Sequence, residues 1–204
     1  GTGDCSAKLF ILYLEDGLDG WTSTDYQIID TVSGGTGNGG ADCNGLSTPT
    51  LVDLNRDGAV DRAYAGDLFG NLWAFDLCNE ASGACQATGW KVGYGSVANP
   101  TPIMTAHDGA NPTANKQPIT VKPAVSLDPL SANTTDVIIA FGTGQYITMN
   151  DLIDTKLQTK YAFRASSGLH NSWNSGLHTT ANRHERPTDH NMTPDSMADG
   201  AEKA

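Results

Sequence analysis

The chain has 204 residues, 38% of them apolar and 17% charged, enough for one sizeable packed domain and too apolar for a wholly disordered chain. Twelve basic against 23 acidic residues leave a net charge of −11, which argues against the basic patches that nucleic acid and anionic membrane surfaces require. No apolar run approaches the roughly 18 residues of a membrane span.

The acids are lopsided, with 19 Asp against 4 Glu, beside 23 Gly, 9 Pro and 22 Thr. Glu forms helices well, whereas Asp favours turns, caps and hard-cation sites. The composition therefore predicts an all-β chain of strands joined by many turns.

In chain order, residues 8–14 (KLFILYL) read as a strand, 16–20 as a turn and 26–32 (YQIIDTV) as a second strand. Residues 33–40 hold five Gly and read as a flexible loop. Strands at 48–54 and 60–65 flank an Asp-rich loop. Strands at 71–77 and 89–94 flank a turn-like insert bounded by Cys78 and Cys85. Residues 96–118 are mostly loop with a short strand at 102–105. The last strands are 119–127, 137–142 and 160–165, with a short helix predicted at 151–159. From about residue 166 apolar residues thin out, and 166–204 read as a polar, extended or partly ordered tail. His170, His178, His184 and His190 lie there at spacings of 8, 6 and 6, which match no metal motif.

The four cysteines, Cys5, Cys43, Cys78 and Cys85, form no C-x-x-C pair and allow three pairings. A bridge closing the 78–85 hairpin is favoured, leaving Cys5 with Cys43. An even count on an acidic, Thr/Gly/Asp-rich chain fits an oxidising compartment, against the alternative of four buried thiols in a cytosolic protein. The chain opens on Gly1 with no Met and no signal-like segment, so a processed or excised piece is expected.

A weak internal repeat runs through the middle. Pro49 and Pro123 lie 74 residues apart, and Asp61 and Asp136 lie 75 apart. Each unit reads strand, loop, strand, Gly-containing turn, strand, which is the pattern of a propeller blade. The first two strands would then form the outer half of a preceding blade.

One loop carries chemistry. Asp53, Asn55, Asp57 and Asp61 place oxygen side chains at positions 1, 3, 5 and 9, with Gly58 at 6 and the Ala59 carbonyl at 7. That is the ligand order of an EF-hand calcium loop. Calcium wants six to eight oxygens, alternate positions turn inward, and glycine takes the sharp turn. The departure is position 12, Tyr64 in place of a bidentate Glu, and the flanks read as strands. The alternative is an Asx-rich turn that binds nothing.

Catalytic motifs are missing from the sequence: no G-x-S-x-G, H-E-x-x-H or phosphate-binding loop occurs. Gly142 and Gly144 read as a strand-terminal turn rather than a dinucleotide loop. Asp67 and Asp76 read as solvated turn residues rather than an acid/base pair. Tyr64, Phe69, Trp73 and Phe75 read as core or strand-face aromatics.

The stretch from Gly45 to Leu77, through Asp53, Asp61, Asp67, Trp73 and Asp76, resembles the calcium-loop blade of PilY/PilC-type proteins, the tip-associated adhesins and assembly factors of bacterial type IV pili. Residues 117–125 and 137–146 resemble the next blade in the same order, and 155–161 the strand after it. The resemblance implies a modified seven-bladed propeller with one calcium site at Asp53, Asn55, Asp57, the Ala59 carbonyl and Asp61, with calcium linked to pilus extension against retraction. At about 75 residues per unit, two to three blades are expected. Residues 1–165 are then a partial propeller, with blades at about 47–95 and 119–165. The expected protein is a non-enzymatic, extracellular module. Its partners would be pilus subunits or other chains of the pilus machinery, and a host or abiotic surface. The alternatives are a structural subunit whose open blade edges are completed by other chains, and a quinoprotein-like propeller enzyme.

Overall fold

The computed structural model describes residues 5–34, 43–77, 89–108, 116–131, 136–153, 156 and 158–165, and the backbone of 184–185. Period-two alternation of apolar side chains decides the architecture. Strand β1 (Lys8–Leu12) pairs with β2 (Tyr26–Asp30) as an antiparallel ribbon, Phe10 opposite Ile28. Sheet one holds β3 (Thr50–Val52), β4 (Arg62–Gly66), β5 (Asn71–Asp76) and β6 (Lys91–Val92) in that order, with β7 (Met104–Thr105) pairing the start of β5. Sheet two holds β8 (Ala124–Leu127), β9 (Val137–Gly142), β10 (Thr159–Ala165) and β11 (His184–Glu185). Every pairing between these strands is antiparallel.

Sheet one is the middle layer. Its β4 and β5 send Ala63, Ala65, Trp73 and Phe75 to one face, where Leu9, Ile11 and Ile29 of the ribbon pack on them. They send Tyr64, Leu72 and Ala74 to the other face, against Val137, Ile139, Phe141 and Phe163 of sheet two. Both faces being covered explains why β5 buries five consecutive residues, a pattern of continuous rather than alternating burial. Phe141 stacks on Tyr161, the residue opposite it across the ladder, at 5.2 Å between ring centroids.

The repeat is structural. Pro49 stands immediately before β3 and Pro123 immediately before β8; Asp61 stands immediately before β4 and Asp136 immediately before β9. Proline has no N–H to give a ladder, so it sits where a strand begins. The two leading strands also touch, through a hydrogen bond from Thr50 Oγ1 to the Pro123 carbonyl. A ribbon, a five-stranded sheet and a four-stranded sheet match the expected all-β, two-to-three-blade reading.

Some boundaries move. Residues 119–123 do not extend β8: Ile119 makes an isolated parallel bridge to Gly144, while Pro118 and Pro123 bracket a segment unable to keep a regular ladder. In place of a helix over 151–159, a short 3₁₀ turn spans Met149–Ile153 and β10 already begins at Thr159. Asp151 folds back on the Ile147 and Thr148 N–H groups and favours that tight turn over helix propagation. Cys78, Cys85, their hairpin and most of the 166–204 tail lie outside the described residues.

Candidate metal loop and the buried carboxylate of its blade

The β3–β4 connection is the Asp53–Asp61 loop. It is held by its own side chains. Asp53 Oδ1 accepts from the Arg56 N–H at 2.6 Å and its Oδ2 from the Gly58 N–H at 2.8 Å. Asn55 Oδ1 accepts from the Asp57 N–H at 2.9 Å, and Asp57 Oδ1 from the Ala59 N–H at 2.8 Å. The left-handed turns fall at Arg56 (φ +64°) and Gly58 (φ +94°), so the glycine stands where the chain needs one. Asn55 and Asp57 are exposed, whereas Asp61 is only 2% exposed.

Asp61 closes the loop. Its Oδ2 accepts from the Leu54 N–H at 2.5 Å and the Asn55 N–H at 3.2 Å. Its Oδ1 is buried with no hydrogen-bond partner. A buried carboxylate oxygen left bare is costly unless a cation or donor meets it. Tyr64, at the twelfth position, supplies no ligand: it is 1% exposed in the core, and burial pushes its phenol up to about 12. Among the described residues, no three His, Cys, Asp or Glu side chains converge as a metal-holding group. The loop carboxylates instead serve the loop's N–H groups. A carboxylate has about four lone-pair sites, so one or two such bonds leave room for a cation. The donor set of three carboxylates, one amide oxygen and one carbonyl suits a hard divalent ion.

Two sequence readings need correction. Asp67 is not a solvated turn residue; it is fully buried. Its Oδ1 accepts from the Phe69 N–H (2.9 Å) and Asn71 N–H (2.8 Å). Its Oδ2 accepts from Asn44 Nδ2 (2.9 Å), Asn71 Nδ2 (2.9 Å) and Trp73 Nε1 (2.8 Å). Ser33 Oγ also donates to Oδ2 at 3.5 Å, and six donors make this burial affordable. The available signal was the Asp-x-x-Gly-Asn-x-Trp spacing, which returns the amide and indole of β5 onto the turn before it. Asp76 is not free in solvent either. It takes Arg62 Nε at 2.7 Å, and Arg62 lies 5.9 Å from the Tyr94 ring centroid. Burial opposes the Arg62 charge, yet Asp76 outweighs it and holds the guanidinium above its ordinary range. Tyr64, Trp73 and Phe75 are core, as read. Phe69 is half-buried, with Lys116 Nζ 4.5 Å from its ring centroid.

The structure joins Cys5 to Cys43, residues 38 apart. Asn44 follows the bridge: its N–H donates to the Cys5 carbonyl at 2.9 Å while its amide reaches Asp67.

Comparison with known proteins adds the family. The model for the PilY1 beta-propeller domain matches residues 1–172. A type IV pilus biogenesis factor PilY1 homolog of Xylella fastidiosa is 32% identical over 160 residues, covering 75% of this chain and 9% of its own length. The type IV pilus biogenesis factor PilY1 of Pseudomonas aeruginosa is 37% identical over 131 residues, covering 58% of this chain and 10% of its own. The crystal structure of the Pseudomonas aeruginosa PilY1 C-terminal domain aligns at TM-score 0.51 and 31% identity, over 71% of this chain and 30% of that one. The chain thus spans about a tenth of the length of these curated relatives.

Proposed function

The chain belongs to the PilY1 β-propeller family, and from that premise we propose that it is a non-enzymatic, calcium-binding module of a type IV pilus biogenesis factor. It works at the cell surface, at the pilus tip or outer membrane, among the components of the pilus machinery. Pilus extension against retraction and surface attachment are the processes it serves. The names of its relatives support the pilus role. The Cys5–Cys43 bridge supports an oxidising location.

The observation that carries calcium is Asp61, a buried carboxylate with one bare oxygen at the end of an EF-like loop. Asp53, Asn55, Asp57 and Asp61 side-chain oxygens and the Ala59 carbonyl would hold the ion. Calcium would supply the positive charge that three carboxylates in nine residues lack. The test is thermal melting of the whole chain with calcium and with chelator. Calcium at 100 times its dissociation constant adds about 2.7 kcal/mol when it binds only the native state. Asp61→Asn removes most of that increment. Identical melting with calcium and with chelator sinks the calcium reading.

One observation favours a second reading, a subunit completed by other chains. The ribbon shows Phe10, Leu12 and Ile28 to solvent on the face away from its core. Size exclusion with light scattering decides between them: a monomer at micromolar concentration removes self-assembly.

A further inference from the structure

The two outer layers among the described residues carry loops of opposite charge. The β1–β2 connection, residues 13–25, holds Glu15, Asp16, Asp19 and Asp25 and neither Lys nor Arg, a net −4. Leu14, Leu18 and Trp21 stand out from it, 71%, 87% and 53% exposed. The loop has a fixed shape. The Gly17 N–H donates to the Tyr13 carbonyl at 3.1 Å, and Asp25 accepts from the Thr22 N–H at 2.5 Å. The Trp21 ring lies so close to Gly17 that a Cβ there would stand 2.7 Å from it.

Sheet two lies on the other side of sheet one. Its β9–β10 connection shows Tyr146, Ile147, Met149, Leu152 and Ile153 to solvent, each between 53% and 81% exposed. Asp151 holds this loop through Gln145 Nε2 and the Ile147 and Thr148 N–H groups. Ile119 bridges Gly144 in parallel and Thr120 Oγ1 donates to the Gly144 carbonyl at 2.6 Å, which brings Val121 and Lys122 to the base of the loop. Lys160, opposite Gly142 in the ladder, stands at the same base. Residues 116–122 and 144–160 hold four Lys against two Asp, a net +2 on a chain of net −11. Glu15, Asp16, Asp19, Lys122 and Lys160 are exposed, and none enters an ion pair among the described residues.

Clustered exposed apolar side chains mark interaction surfaces, and Trp and Tyr are common anchors of such surfaces. Loops already held in shape lose little freedom on docking. Charge decides the partner. An anionic lipid surface or an acidic peptide suits the lysine-bearing loop and leaves the acidic loop unexplained. A second copy of this chain suits both. We propose that the β1–β2 loop of one copy docks on the β9–β10 loop of the next, apolar on apolar, with Glu15, Asp16 and Asp19 facing Lys122 and Lys160. Two different surfaces make this a head-to-tail contact, which leaves one of each loop open on every pair. The contact is one form of the assembly by which other chains complete the subunit, and it leaves the ribbon face of Phe10 and Ile28 unused.

Sedimentation of the whole chain at micromolar concentrations is expected to show assembly that grows with concentration. Asp16→Lys with Asp19→Lys, and Lys122→Glu with Lys160→Glu, are each expected to weaken it at least tenfold with melting unchanged. The first pair makes the chain less negative and the second more negative, so a loss in both is local rather than an effect of net charge. Mixed one to one, the two variants should regain assembly, because the native and the swapped contacts both pair opposite charges. A chain that stays monomeric overturns this contact together with any self-assembly. Assembly that survives both variants overturns this contact alone, and its loss in Phe10→Ser with Ile28→Ser would then place assembly on the ribbon face. Variants that stay apart when mixed overturn the pairing of the two loops.

Discussion

Asp67 and Asp61 are two buried carboxylates within one blade, and their surroundings give them opposite roles. Asp67 is saturated by six donors, so it holds the turn and has no capacity left for a ligand. Asp61 keeps one bare oxygen, which is why it is the residue to test for metal. Asp67→Ala strands two backbone N–H groups and an indole N–H in the core and leaves the Asn44 and Asn71 amides with Ser33 alone. A loss of about 3 kcal/mol or more is expected in urea unfolding, with no change in calcium response. Asp151 gives the pH prediction. Its folded pKa is depressed from 3.8 to about 2, first by the Thr148 N–H, then by the Ile147 N–H and Gln145. A depressed carboxyl stabilises above its unfolded pKa and stops doing so as pH falls through the folded one. The melting difference between parent and Asp151→Asn should therefore be full above pH 3.8 and close as pH drops through about 2. A difference that stays constant from pH 5 to pH 2 would show that the bonds do not depend on the charge.

At the scale of elements, the β4–β5 turn is the most constrained connection. Gly70 sits at φ +79°, and a Cβ there would stand 2.7 Å from the Ala106 and Gln117 carbonyl oxygens. Backbone strain alone costs about 1–3 kcal/mol for a non-glycine residue in such a region. Gly70→Ala should lose at least that much, while Gly142→Ala, with nothing within 4 Å of the added methyl, should stay within about 0.5 kcal/mol. Equal urea midpoints for the two variants would contradict the close approach. The strand set was readable because Val, Ile, Tyr and Phe alternate between Pro and Asp punctuation. The 3₁₀ turn at Met149–Ile153 was not, because its cause is a side chain returning to the backbone four residues earlier, which no apolar period reports.

The described residues form three layers, with a disulfide at one corner. Ribbon and sheet one share the Trp73–Phe75 face, and sheets one and two share the Tyr64–Leu72 face. The Cys5–Cys43 bridge fastens the approach to β1 to the approach to β3, and Asn44 carries the fastening on to Asp67. Cys5→Ser with Cys43→Ser should cost roughly 2–4 kcal/mol, as for a closed loop of several tens of residues. Hydrogen exchange should then show the Leu9–Leu12 amides losing protection before those of β5. Uniform loss across both layers would show that the bridge does not act on the ribbon.

The sequence alone determined the all-β class, the repeat of about 75 residues and the EF-like order of oxygens. Each of these is local: alternation, proline punctuation and spacing within nine residues are written along the chain. Only the tertiary structure decided that Asp67 is a buried hub, that Asp76 is paired with Arg62, and that Val121 and Lys122 lie at the base of the β9–β10 loop. Those facts depend on groups brought together from different strands and loops. An Asp at a turn reads the same in sequence whether water or six protein donors surround it; packing makes the difference.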